Sequence, residues 1–144
     1  MSNFVLDEFL PYQLAVAASR VSRAYARLYQ QKFGISIPEW RVVAHLSQAG
    51  AVSVREIHER VDMDKSKVSR AASRLEAAGY VTKRVNKADR RLVELALTAR
   101  GSDMIEELAP IARRFEAEVL AQLGDGAKVF QTELARLIEI TGSR

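Results

Sequence analysis

The chain has 144 residues, 48% of them hydrophobic, an ordinary composition for one domain able to bury its own core. It contains no cysteine, which excludes a disulfide framework, a thiolate nucleophile, a cysteine-containing zinc site and sensing by thiol oxidation. The net charge of +4 is concentrated, since residues 64–91 hold nine Lys+Arg against three Asp+Glu.

Acids precede the first apolar stretch, no basic leader opens the chain, and no apolar run approaches ~18 residues. A cytoplasmic protein that does not engage a membrane is therefore expected.

In chain order, Leu14, Ala17, Ala18, Val21, Ala24, Tyr25 and Leu28 recur at three- and four-residue steps. This spacing predicts a long first helix that ends before Gly34. "SIPEW" sets Ser36 three residues before Glu39, with Pro38 in the first turn, a capping box that opens a second helix running to Gly50. Ser53 and Glu56 repeat that grammar for a short third helix with Ile57 and Val61 inward. Asp62-Met63-Asp64 is a turn, Asp64 is a suitable N-cap, and a fourth helix follows to Gly79. Two capped helices joined by a tight turn make a helix-turn-helix.

Beyond Gly79 the pattern becomes extended. "YVTKRV" and "RLVELAL", separated by "NKAD", predict a β-hairpin with a basic tip. Thr98 can cap a fifth helix through Ile105, Leu108, Ile111, Ala112, Phe115 and Val119, bent at Pro110, which lacks an amide donor. "GDG" interrupts it, and Phe130, Leu134, Leu137, Ile138 and Thr141 outline a last helix.

The predicted fold is mainly α with a small β-hairpin wing. A winged helix-turn-helix at 35–100 is flanked by an N-terminal dimerisation helix region at 1–34 and C-terminal dimerisation helices at 101–144, all one intertwined domain. The end helices carry more apolar surface than the small centre can cover, so a homodimer is expected. An intramolecular three-helix bundle satisfies the same spacing.

The fourth helix carries the argument for function. At 100° per residue, Val68, Ala71, Ala72 and Leu75 share one face, while Ser66, Ser69, Arg70, Ser73 and Arg74 lie opposite. After Asp64 its only acid is Glu76, whereas a merely solvated helix usually mixes acids with bases one turn apart. A helix of this kind fits the DNA major groove. Ser66, Lys67, Ser69 and Arg70 are the candidates for base readout, and Lys65 and Arg74 for phosphates, which position a protein without specifying sequence. At the wing tip Lys87 and Arg90 suit a minor groove, and Asp89 beside Arg91 can pair with it and stiffen the loop. The plain alternatives are an exposed basic face and a structural hairpin.

The order of these parts resembles the MarR family of bacterial winged-helix regulators over nearly the whole chain. The likeness is strongest over 53–101, where "SRAASRLEAAGYVTKR" is similar to the family's recognition helix and first wing strand, and "DRR" with "LTARG" to its second wing strand and next helix. The resemblance implies an obligate dimer that binds double-stranded DNA at a pseudo-palindromic operator and is released by a small, often aromatic or phenolic effector. Asn86 and Ala88 depart from the acidic and basic residues common at those positions, while Asp89, Arg90 and Arg91 are kept.

Enzymatic patterns are missing. "HERVD" begins like a zinc-protease helix, but Asp62 stands where the second histidine would face His58, and His45 and His58 fall on separate helices. No G-x-S-x-G, S-x-x-K, phosphate-binding glycine loop or dinucleotide fingerprint occurs, so neither metal nor cofactor is expected.

For the effector, Arg20, Arg23 and Arg27 form a stripe at i, i+3 and i+7, and a guanidinium can hold a carboxylate by two parallel bonds. Arg20, Trp40 and His45 are the candidate pocket residues. Solvated arginines, a core Trp40 and a His45 on the polar side of its helix are the alternatives. The competing functions are a sequence-tolerant architectural DNA binder and a winged-helix protein-interaction adaptor.

Overall fold

The computed structural model describes residues 3–142. Its elements in chain order are α1 (Leu10–Phe33), α2 (Ile37–Ala49), β1 (Val52–Ser53), α3 (Val54–Arg60), α4 (Lys65–Ala77), β2 (Val81–Val85), β3 (Val93–Leu97), α5 (Ala99–Leu123) and α6 (Ala127–Thr141). Short 3-10 turns occupy Leu6–Glu8 and Gly124–Gly126. Two compact units divide between Ala109 and Pro110, within α5. The first unit holds both α1 and the winged helix.

Local chemistry sets most helix ends. The Ser36 and Ser53 hydroxyls accept the Glu39 and Glu56 amides at 3.3 and 3.1 Å, which satisfies one orphan donor at the start of α2 and of α3. Asp64 does hold the N-cap position of α4, but its side chain makes no capping bond there, and only its carbonyl enters the helix, accepting from Val68 N–H. Its backbone, φ −57° and ψ 141°, differs from that of the two serines, which have φ −86° and −77° with ψ 171° and 155°. In the turn before it, Asp62 sits at φ +54°, and His58 Nδ1 donates to the Met63 carbonyl at 3.1 Å, so His58 braces the helix-turn-helix.

At its far end α4 closes with two bonds, Tyr80 N–H to Leu75 O at 2.9 Å and Gly79 N–H to Glu76 O at 3.0 Å. This Schellman arrangement requires the left-handed φ of +85° at Gly79.

α1 begins four residues before the apolar stripe at Leu14, with Pro11 in its first turn and no side-chain cap, which is why the sequence leaves its start unmarked. The hairpin pairs Val81 with Leu97 through Val85 with Val93. β1 then pairs Val52 with Leu95 and Ser53 with Glu94, giving the sheet order β1-β3-β2. A two-residue strand has no readable period, so the third strand escapes sequence analysis. Pro110 lies within an unbroken α5.

The core of the first unit gathers Val42, Val43 and Leu46 of α2, Ile57 of α3, Val68, Ala72 and Leu75 of α4, and Val81 and Leu95 of the sheet, all at most 2% exposed. Gly101 of α5 rests against the Tyr80 carbonyl, and a Cβ there would stand 2.2 Å from that oxygen. Thr98 starts α5 by accepting the Gly101 amide at 3.1 Å while donating to Gly79 O at 2.7 Å.

The first helix differs from its sequence reading. Ala26 and Tyr29 are its buried residues, whereas Val21 and Leu28 of the apolar stripe are 44% and 40% exposed. α6 of the second unit has no buried residue, and Val129, Phe130, Ile138 and Ile140 are 47–71% exposed.

Candidate nucleic-acid interface

α4 lies against α2, α3 and β2 through Val68, Ala71, Ala72 and Leu75. Lys65, Ser66, Lys67, Ser69, Arg70, Ser73 and Arg74 are all exposed on its other side. Burial of a thin stripe of mostly small side chains seats the helix while leaving its donors pointing outward.

Three acids near this face, Glu39, Glu76 and Asp89, each have a base against them. Glu39, 8% exposed, accepts from the Ser36 hydroxyl and lies 4.0 Å from Arg74. Glu76 faces Lys83 of β2 at 3.9 Å, and the same ammonium donates to Ser73 at 2.7 Å, linking wing to helix. Lys65, Lys67, Arg70, Lys87 and Arg90 form no salt bridge among the described residues. Positive charge is therefore left free where the helix and the wing point outward.

The loop after β2 is built by two side chains. Asn86 Oδ1 accepts the amides of Ala88 and Asp89 at 2.8 and 3.0 Å, and Asp89 accepts the Arg91 amide together with a two-point contact from its guanidinium at 3.0 and 3.2 Å. The Arg91 side chain, then its backbone N–H, hold the Asp89 carboxyl below the ordinary aspartate value. Lys87 and Arg90 project from this braced tip, both exposed.

Between α4 and the wing runs a groove of 220 Å³ with Arg55, Lys65, Ser69, Lys83 and Arg91 along its walls. Arg55, exposed, and Lys83, half-buried, join the basic surface here although neither was among the sequence candidates for DNA contact; their basic charge beside the helix-turn-helix and in the wing strand was the available signal. Asn86, marked in the sequence only as a departure from the family pattern, builds the turn, and Asn after a strand is a common turn former.

The effector candidates lie apart. Arg20 lines an open concavity with Arg23, Arg27 and Ile37. Trp40 belongs to an aromatic cluster, 5.1 Å from Tyr25 edge-on and 5.5 Å from Tyr29 stacked. Burial is the main cause that pushes the Tyr29 hydroxyl up to about 12 and raises that of Tyr25 as well, so both stay neutral at physiological pH. His45 is not on an open polar side; its side chain is 11% exposed, with Nε2 3.6 Å from Glu56 of α3.

Among the described residues no group of three His, Asp or Glu could hold a metal ion, and no helix is long and apolar enough to cross a membrane. Fold and surface together define a winged-helix DNA-binding protein.

Comparison with known proteins narrows this class. Residues 33–92 match the model of the MarR family. The chain is 29% identical over 136 residues to the repressor Rv2887 of Mycobacterium tuberculosis, covering 94% of this chain and 92% of that one. It is 32% identical over 93 residues to the repressor MdtR of Bacillus subtilis, covering 65% of this chain and 60% of that one. A MarR/EmrR family regulator from Acinetobacter sp. ADP1 superposes with TM-score 0.83 at 27% identity, over 96% of this chain and 97% of the other. The chain is thus similar to transcriptional regulators along most of its length, and over residues 33–92 to the MarR family.

Proposed function

We propose that this regulator is a homodimeric, sequence-specific repressor. Each protomer sets α4 in a major groove and its wing tip in the flanking minor groove. Ser66, Lys67, Ser69 and Arg70 read base edges, while Lys65 and Arg74 hold phosphates and Lys87 and Arg90 the outer groove. The observation that carries the reading is the outward face of α4, rich in donors and bases, with Glu39, Glu76 and Asp89 already engaged by bases. Two-fold symmetry sets the half-sites about 10–11 bp apart.

The exposed apolar residues of α1 and α6 support self-association. Burying a large aliphatic or aromatic side chain contributes about 1.5–3 kcal/mol, and a symmetric pair buries each residue twice.

A small aromatic or phenolic effector completes the proposal. It releases DNA by favouring a dimer whose recognition helices are misplaced, to the extent that it binds that state more tightly. Arg20, Trp40 and His45 are the positions to substitute when testing for its site.

The test is a fluorescence-anisotropy titration of the full chain against an operator selected from random duplexes and a scrambled duplex of equal length, at two salt concentrations. A preference of about 10³-fold or more is the expected result. Equal, salt-sensitive binding to both duplexes would identify an architectural binder, and no binding at low salt would leave the winged helix as a protein-docking module.

A further inference from the structure

α1 carries two separate faces. Leu10, Leu14, Val21 and Leu28 form an apolar line, and Arg20, Arg23 and Arg27 form a second line about a third of a turn away. All three arginines are exposed and none forms a salt bridge among the described residues. Their concavity, 630 Å³ and shallow, is walled also by Ala26, Gln30 and Ile37.

Gln30 lines a neighbouring concavity as well, whose other walls include Gly34, Ser36, Glu39 and Arg74. The two adjoin at Gln30, so the arginines of α1 and Arg74 of α4 flank neighbouring concavities that together make a basic strip. The one carboxylate lining it is Glu39, which is buried and already faces Arg74. From Arg20 to Gln30 the helix rises about 15 Å at 1.5 Å per residue, a length that faces about four phosphates of one DNA strand at 3.4 Å each.

Small-molecule sites enclose most of their ligand among apolar walls. An open, cationic strip suits an extended polyanion instead. Its side of α4 also tells which part of a duplex it meets: Ser69 and Ser73 line the groove toward the wing, whereas Arg74 lines the opposite flank. With wings in the outer minor grooves, that flank faces the operator centre.

We propose that Arg20, Arg23 and Arg27 form a second nucleic-acid contact, gripping the sugar-phosphate backbone between the two half-sites. This rests on the operator reading above.

The experiment uses the full chain and its Arg23→Gln/Arg27→Gln variant, which leaves Arg20 in place and exchanges helix formers of similar propensity. Both are titrated against the operator, against the operator with uncharged methylphosphonate linkages in the central spacer, and against a scrambled duplex; thermal melts check the fold. The wild type should lose about tenfold or more on the neutralised spacer, and the variant, losing only what the retained Arg20 contributes, should lose severalfold less. Its slope of log K against log salt should be shallower by about 3–4, since four lost contacts per dimer each contribute about 0.9.

Equal losses for both proteins on the neutralised spacer would assign the contact to other residues and overturn the inference. So would a folded variant with wild-type affinity and slope. A wild type that binds operator and scrambled duplex alike would overturn the operator reading itself, and that outcome is visible without the modified linkages.

Discussion

Around α4, Glu39, Glu76 and Asp89 each face a base, and Val68 and Leu75 are fully buried, whereas α6 buries no residue and exposes Phe130 and Ile138 at 47% and 71%. The winged helix completes its core internally and spends its surface on uncompensated positive charge. The terminal helices leave their apolar surface uncovered within the chain. Unpaired cations recruit a polyanion, and uncovered apolar area recruits another apolar surface. Two regions of one chain are in this way addressed to two kinds of partner.

The largest expected effect removes the second partner. Phe130→Asp with Ile138→Asp places charges on the exposed face of α6, so sedimentation should show a monomer and operator affinity should fall by about 100-fold or more, ~2.7 kcal/mol. A variant that remains dimeric and binds normally would break the division of labour drawn here.

Next comes the rigidity of the winged helix. Gly101→Ala drives a methyl to 2.2 Å from the Tyr80 carbonyl, so it should cost about 1–3 kcal/mol and lower the melting temperature by several degrees. An unchanged melt would mean that α5 is free to withdraw from β2.

Within the basic surface, Arg70→Ala should cost about 1–3 kcal/mol on the operator and relax specificity at one base pair. Lys87→Ala should weaken operator and scrambled duplex alike and reduce the salt slope by about 1 per lost contact. Identical profiles for the two variants would refute separate reading and positioning roles.

The smallest effect lies in the wing loop. Because Arg91 depresses the Asp89 carboxyl below 3.8 in the folded chain, the loop's contribution to stability is full above that pH and is lost as pH falls through the lower folded value. The Arg91 amide resonance should shift in that acid range in the wild type, and Asp89→Asn should abolish the transition. A transition that persists in the variant would place its origin in another acid.

The sequence by itself determined what depends on neighbours three to five residues apart. Ser36 with Glu39 and Ser53 with Glu56 announce two helix starts, Gly79 announces the left-handed stop of α4, and the Val68-Ala71-Ala72-Leu75 spacing decides which side of that helix is buried. Each works through short-range hydrogen bonds or the helical period, so each can be read in a single window.

Tertiary structure alone decided the rest. β1 exists only because β3 offers it an edge, and the Lys83–Ser73 and Arg74–Glu39 contacts join residues on separate elements. It also separated Arg20, Trp40 and His45 onto an arginine strip, an aromatic cluster and the α2–α3 contact, and it left Val21 and Leu28 of the α1 stripe exposed. Periodicity assigns a residue to a face of its own helix; what that face meets depends on how distant segments pack, and no short window contains that information.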